Sequence, residues 1–228
     1  MSSNERYNYF CMFTPEGKVL PIESVIRTTE HGGVCVAVRS ETVGVIISQR
    51  TGKDEKLAIG KSKIMQLDEN LVYTYSGITN DGVRYGERIK RNLQKEKQRT
   101  GITLPIACLI EKEQFNSGIE VMRYGNRATG VSVIIMGVEK NKVKLLEINP
   151  TGEAFPCFGS CIGSRAQSAR TVLDAKAKEI QNMDEQSLQE LAFNAFRNAV
   201  NDPDAISAKT YDICVVSVEQ GVKLVKSE

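Results

Sequence analysis

The chain has 228 residues, of which 30 are basic and 28 acidic, and a formal net charge of +2. Hydrophobic residues make up 41% and charged residues 25%, which is typical of an ordinary globular protein. The near-neutral charge gives no argument for a nucleic acid or an acidic membrane as partner, and no apolar run approaches the roughly 20 residues of a membrane helix.

Hydrophobic periodicity and turn residues predict the elements in chain order. The first half is expected to contain a polar tail at 1–13, a turn at 14–18, a helix at 20–31, strands at 34–39 and 43–48, a charged loop at 50–62, a strand at 70–75 and helices at 80–99 and about 105–117. The second half is expected to contain a hairpin at 130–148, a turn and short strand at 149–157, helices at about 164–181 and 184–200, and strands within 211–218 and 222–225.

Strands and helices occur in groups in this order rather than in alternation. Such grouping argues against a doubly wound parallel sheet. Two sheets that pack on each other, with a pair of helices outside each sheet, would use every predicted element. We therefore predict an α+β protein, a four-layer α/β/β/α sandwich, with residues 14–228 in a single domain.

Two short motifs suggest chemistry but match poorly. The segment "GKS" (60–62) resembles the end of a phosphate-binding loop, which needs another glycine where Glu55 stands, so a solvated loop is favoured. The segment "GSCIG" (159–163) resembles a nucleophile elbow, with Cys161 as nucleophile and His31 as the one possible histidine base. Tight packing of small residues at a strand end is favoured here, but the sequence leaves a Cys–His pair open.

The cysteines indicate a reducing compartment rather than a metal site. None of the six cysteines forms a CxxC pair, and the chain has one histidine, so a zinc site is not expected. The opening segment "MSSNERYNYF" is polar and lacks the apolar core of a secretory signal. We therefore expect the protein in the cytosol or nucleus.

Five segments, in matching order and spacing, extend over nearly the whole chain. They are "FTPEGKVLPIESV" (13–25), "SGITNDGVR" (76–84), "RATGVSVIIMGVE" (127–139), "NPTG" (149–152) and "IGSRAQSART" (162–171). Together they resemble the signature segments of the proteasome core-particle subunits, and the first is similar to the opening signature of the alpha subunits. The segments "MRYGNRATG" (122–130) and 162–171 are most similar to the alpha type-1 group, which is also numbered as the sixth ring position.

The resemblance implies the fold of the N-terminal-nucleophile hydrolases. In the active beta subunits of this family, a processed N-terminal threonine supplies both the hydroxyl nucleophile and the amine base, assisted by an aspartate and a lysine. In this chain Gly33 or Val34 stands at the position of the threonine, and Gln49 or Arg50 stands at the position of the aspartate. The lysine is retained as Lys63. The resemblance therefore implies a non-catalytic alpha subunit with no catalytic residue, no metal and no cofactor.

The competing interpretation is an active threonine-type peptidase subunit in another register. Such a chain would be processed to begin at Thr28, Thr29 or Cys35. The first two lie within the predicted helix at 20–31, where their backbone nitrogens are blocked.

The resemblance also implies partners and a binding pocket. The partners are other alpha subunits in a seven-membered ring, the beta-ring subunits, and the C-terminal tails of activators, in the cytoplasm and nucleus. Lys63 would pair with the carboxylate of an incoming tail, with Gly32 and Gly77 beside it. The alternative for Lys63 is a solvated surface lysine.

Residues 1–13 would form the gate tail, and 20–31 the alpha-specific N-terminal helix that contacts a neighbouring subunit. Tyr7, Asn8 and Pro15 match the gate positions, although Asn8 stands where the family has an aspartate. Ser24 stands where the family has a later tyrosine, so the resemblance is weakest at the gate.

Overall fold

The computed structural model describes residues 12–52, 60–123, 127–200, 206 and 210–225. The α-helices in this part of the chain are α1 (Leu20–Glu30), α2 (Thr79–Thr100), α3 (Ile106–Met122), α4 (Ala166–Ala175) and α5 (Glu185–Ala199). The strands are β1 (Cys35–Arg39), β2 (Val43–Gln49), β3 (Met65–Asp68), β4 (Leu71–Gly77), β5 (Val131–Glu139), β6 (Lys142–Ile148), β7 (Ala154–Pro156), β8 (Gly159–Ile162), β9 (Tyr211–Ser217) and β10 (Gly221–Val225).

The strands form two five-stranded antiparallel sheets. The first has the order β10-β9-β2-β1-β8 and the second the order β3-β4-β5-β6-β7. Helices α4 and α5 pack on the outer face of the first sheet, and α2 and α3 pack on the outer face of the second. The predicted four-layer α/β/β/α sandwich is confirmed.

Strand β1 shows why the sequence folds into layers. Its side chains alternate between two apolar environments, because successive residues of a strand point to opposite faces. Val36 and Val38 pack towards the helices of the first sheet, whereas Cys35 and Ala37 pack between the two sheets. The continuous apolar run from Cys35 to Val38 is therefore buried on both faces, as an inner strand of this sandwich must be.

The structure differs from the predicted elements in four places. Strand β8, the edge strand beside β1, was not predicted as an element between the short strand within 149–157 and the helix that follows. Strand β3 was not predicted, because its four residues form a short edge strand with a bulge opposite β4. Helix α3 continues past the predicted end near 117, since buried Val121 anchors its last turn. The helix predicted at about 164–181 ends at Ala175 and is followed by turns and a short 3₁₀ helix, Ile180–Asn182, because only Ile180 of this segment is buried there.

The chain enters the fold through the predicted turn. The amide of Gly17 donates to the carbonyl of Thr14 (2.8 Å), with Pro15 in the second position of the turn. Helix α1 follows and packs against β4 and β5, and Thr29 is its one buried residue. Its Ile26 is 39% exposed, which fits the expectation of apolar side chains on an open surface.

Tyr7 and Asn8, which were predicted to match the gate positions, lie outside the described residues. Among the described helices, none combines the length and the apolar character needed to cross a membrane.

Candidate functional site

The joint between α1 and β1 is the place where an N-terminal nucleophile would lie. The carbonyl of Gly33 accepts hydrogen bonds from Lys63 Nζ (2.9 Å) and from Ser76 Oγ (3.0 Å). The carbonyl of Gly32 accepts one from the amide of Ser164 (2.8 Å), which follows β8. Three other segments of the chain therefore hold this two-residue joint in place.

Glycine is required at this joint because backbones approach too closely for a side chain. A Cβ on Gly32 would overlap the amide nitrogen of Gly77 and the hydroxyl of Ser76. Gly77 has φ +122°, in the region that glycine alone adopts readily, and its Cβ would overlap the carbonyl oxygen of Gly130. Gly32 and Gly77, which were predicted to lie beside Lys63, are thus in direct contact with each other.

The groups that an N-terminal threonine would supply are replaced here. Gly33 and Val34 carry no hydroxyl, and the chain runs on from α1 into β1. The hydroxyls of Thr28 and Thr29 donate to Ser24 O and Ile26 O, each at 2.8 Å, within α1. Neither threonine is aimed at the start of β1.

The position of the catalytic acid is occupied by residues of different charge. Gln49 Oε1 accepts the amide of Val34 (3.2 Å). Arg50 donates from Nε and Nη2 to Oδ1 of Asp212 on β9, at 2.9 and 2.7 Å, and these hydrogen bonds raise the pKa of Arg50. Where an active beta subunit carries an aspartate, this chain therefore has a neutral Gln49 at the end of β2 or a basic Arg50 just after it, and Asp212 of the neighbouring strand balances the charge of Arg50. Asp212 was missed from the sequence, although an acid inside the apolar run "YDICVVSV" was a signal for a buried partner.

Lys63 stands at the position of the family's lysine, and its side chain is buried rather than solvated. It is 3% exposed, so the surface-lysine alternative is wrong. Its ammonium donates to the neutral carbonyl of Gly33 and makes no ion pair with any described carboxylate.

The two cysteines proposed as nucleophiles are both buried. Cys161 pairs with Val36 in the first sheet and packs among apolar side chains, and burial raises its pKa to about 12. A thiol in that environment stays protonated and is a poor nucleophile. His31 is exposed just after α1, so the hypothesis of a Cys–His pair finds no support.

Cys35 lies between the sheets in a small polar cluster. Its thiol is 3.1 Å from Ser48 Oγ and 3.2 Å from the carbonyl of Tyr75, and Thr74 Oγ1 is 3.3 Å from Ser48 Oγ. These groups satisfy one another inside the core. The described residues contain no group of three or more His, Cys, Asp or Glu side chains that could hold a metal ion.

Two of the signature segments meet in a bidentate ion pair. Arg127 donates to both carboxylate oxygens of Asp81, and Asp81 Oδ2 also accepts the amide of Gly130 (3.0 Å). The hydrogen bonds from Arg127 hold the pKa of Asp81 below its usual range. The pair fixes the start of α2 to the chain entering β5, which explains why both residues belong to characteristic segments.

A second ionic cluster joins α2 to α3. The guanidinium of Arg88 contacts Glu113 Oε2 (2.9 Å) and Glu120 Oε1 (2.6 Å). Thr129 donates to the other oxygen of Glu120 (2.6 Å). This cluster was not predicted from the sequence.

A comparison with known protein families shows to which family this chain belongs. The model of the family described as "Proteasome subunit" matches residues 29–216. This range includes the joint, the whole second sheet, the first sheet except β10 and the last residue of β9, and all helices except most of α1. The chain belongs to the proteasome subunit family.

Individual relatives are alpha subunits of the proteasome. The chain is 24% identical to proteasome subunit alpha type-1 of Dictyostelium discoideum over 230 residues, covering 99% of this chain and 91% of the relative. It is 27% identical to proteasome subunit alpha type-6 of Saccharomyces cerevisiae over 166 residues (71% and 69%). It is 25% identical to the proteasome subunit alpha of the archaeon Methanocaldococcus jannaschii over 210 residues (91% and 78%). These relatives assign the chain to the alpha branch of the family.

Proposed function

We propose that this chain is a non-catalytic alpha-ring subunit of the 20S proteasome core, at the ring position of the alpha type-1 subunits. The observation that carries the proposal is the joint at the start of β1. Gly33 and Val34 stand there without a hydroxyl, inside a continuous chain that α1 precedes. The chain contributes to ring assembly, to gating of substrate entry and to activator docking in ubiquitin-dependent protein degradation.

The ring position is supported by sequence similarity along the chain and within two of its segments. Relatives named alpha type-1 or type-6 align over most of the chain. The segments 122–130 and 162–171 also resemble that group most. The partners proposed are the neighbouring alpha subunits, the beta-ring subunits and activator tails, in the cytoplasm and nucleus.

Residues 14–228 are proposed to form one domain, with 1–13 as the gate tail. Pro15, the third proposed gate residue, lies in the turn in which the amide of Gly17 donates to the carbonyl of Thr14. Tyr7 and Asn8 are the proposed gate residues of the tail. The exposed face of α1, including Ile26, is proposed to contact a neighbouring alpha subunit.

The intact mass of the chain in the native particle tests the non-catalytic role. We expect the chain to begin at residue 1 or 2, because no group at the α1–β1 joint can cleave the peptide bond there. The competing proposal, an active threonine-type peptidase subunit, requires a free N-terminus. A mature chain that begins at Thr28, Thr29 or Cys35 would contradict our proposal.

The proposed activator pocket consists of Lys63, Gly32 and Gly77. Its support is electrostatic, since the buried ammonium of Lys63 has a neutral carbonyl as acceptor and no described carboxylate as partner. A C-terminal carboxylate would supply the missing charge through a charge-assisted hydrogen bond. The close contact between Gly32 and Gly77 holds the joint, and with it the carbonyl of Gly33 that accepts the ammonium of Lys63.

Replacing Lys63 with methionine should weaken activator docking on the order of 30-fold, because a carboxylate loses its buried cationic partner. Methionine is preferred to glutamate, because glutamate would place a carboxylate against the carbonyl oxygen of Gly33. Affinity is measured by titrating an activator complex against the assembled particle. Lys61→Met is the control, since Lys61 is exposed two residues away. Equal affinities of the two variants would remove Lys63 from the pocket.

A further inference from the structure

The hydroxyl of Ser76 faces two acceptors at once. Its Oγ lies 3.0 Å from the carbonyl oxygen of Gly33 and 3.2 Å from that of Thr29, in the last turn of α1. A serine hydroxyl carries one proton, so it can donate to only one of these oxygens at a time. The choice between them depends on what else each oxygen accepts.

The two acceptors differ in their other donors. The carbonyl of Gly33 also accepts the ammonium of Lys63 (2.9 Å). The carbonyl of Thr29 accepts the amide of Gly32 at 3.2 Å, a longer hydrogen bond to a neutral donor. While Lys63 donates to the carbonyl of Gly33, the hydroxyl of Ser76 therefore donates preferentially to the carbonyl of Thr29. This hydrogen bond stabilises the last turn of α1.

The surroundings of Ser76 restrict it to these two oxygens. The side chain is fully buried, and a Cβ on Gly32 would overlap its hydroxyl. A Cβ on Gly163 would lie 2.7 Å from the same hydroxyl. The backbones of these glycines thus enclose the hydroxyl of Ser76. The hydroxyl can still redirect its proton by rotation about the Cβ–Oγ bond.

We propose that Ser76 is a hydrogen-bond relay that connects Lys63 to the last turn of α1. A carboxylate that draws the ammonium of Lys63 away from Gly33 leaves that oxygen without its charged donor. The hydroxyl of Ser76 then turns to Gly33, and Thr29 loses its donor. Occupation of the Lys63 site in this way loosens the end of α1. The arrival of a carboxylate rests on the proposed function, whereas the relay depends only on the contacts among Lys63, Gly33, Ser76 and Thr29.

Hydrogen exchange of the full chain in its assembled particle tests the relay without any ligand. Lys63→Met imitates withdrawal of the ammonium, and Ser76→Ala removes the shared proton. Each variant should speed exchange of the amides in the last turn of α1 by about three- to tenfold, the effect of one buried hydrogen bond. The double variant should be no faster than Ser76→Ala alone, because both changes act on the same bond to Thr29. Lys61→Met should leave exchange in α1 unchanged.

Two results would overturn the relay. One is additive effects in the double variant, and the other is unchanged exchange in α1 when Lys63 is replaced. A second measurement follows hydrogen exchange in the wild-type particle in the presence of a short peptide that ends in a free carboxylate. The control is the same peptide with an amidated C-terminus. The carboxylate peptide should speed exchange in α1, the amidated peptide should not, and Ser76→Ala should abolish the difference.

The same measurement separates the relay from the proposed docking role. Binding of the carboxylate peptide at Lys63 without any change in α1 contradicts the relay. If neither peptide binds while the two variants remain coupled, the docking role of Lys63 fails and the relay stands.

Discussion

Replacing Arg88 with methionine is expected to destabilise the full chain by about 3–5 kcal/mol. Arg88 lies between α2 and α3, where its guanidinium is the described partner of Glu113, a carboxylate with 0% exposure. Burial favours Arg88 losing its proton, but the charges of Glu113 and Glu120 outweigh it and raise its pKa. The methionine variant leaves the carboxylate of Glu113 buried and unpaired, which is why the expected loss is large.

The prediction is checked by denaturant unfolding of the full chain. Arg91→Met is the matched control, because Arg91 lies on the same helix and is exposed; its free energy of unfolding should stay within about 0.5 kcal/mol of the wild type. The double variant Arg88→Met/Glu113→Leu should recover much of the loss, since it replaces the ion pair with apolar groups. Similar losses for the Arg88 and Arg91 variants would show that the cluster does not hold the two helices together.

Replacing Gly77 with alanine is expected to cost about 3 kcal/mol or more. Two effects add at this position. Alanine at φ +122° is strained whatever space surrounds it, and its Cβ would also overlap the carbonyl oxygen of Gly130. Both obstacles are backbone, so no side-chain rotation relieves them. The end of β4 would have to move away from β5, and the joint at Gly32 would move with it.

Gly118→Ala is the matched control for this prediction. Gly118 lies inside α3, and a Cβ there would meet nothing within 4 Å. Alanine should therefore stabilise the chain by roughly 0.5–1 kcal/mol through its higher helix propensity. Thermal unfolding of the two variants gives the comparison. A Gly77 variant as stable as the wild type would mean that the glycine contacts do not hold the joint.

The secondary structure could be predicted wherever one periodicity dominated. The β-branched, apolar run at 34–39 indicated a strand, and the grouped order of strands and helices indicated the layered sandwich. Strand β3 could not be predicted, because four residues at a sheet edge carry too little pattern and pair through a bulge. The break after Ala175 could not be predicted either, because charged residues such as Lys176 suit a helix as well as a turn.

The candidate site was predictable by position but not by contact. The sequence placed Gly33 and Val34 at the nucleophile's position and Lys63 at the lysine's. It could not show that Lys63 is buried against the carbonyl of Gly33, since burial depends on segments 30 or more residues away. The ion pair between Arg50 and Asp212 was not predicted for the same reason, because its two residues are 162 positions apart in the chain.

The sequence by itself determined the layered architecture and the absence of a hydroxyl at Gly33 and Val34, because periodicity and residue identity are local properties. The tertiary structure alone decided what the retained lysine does. Lys63, Ser76 and Thr29 are far apart in the chain, and only the packing of β4 against the end of α1 brings their polar groups onto shared acceptors. Hydrogen bonds between distant segments are set by packing, which no local pattern records.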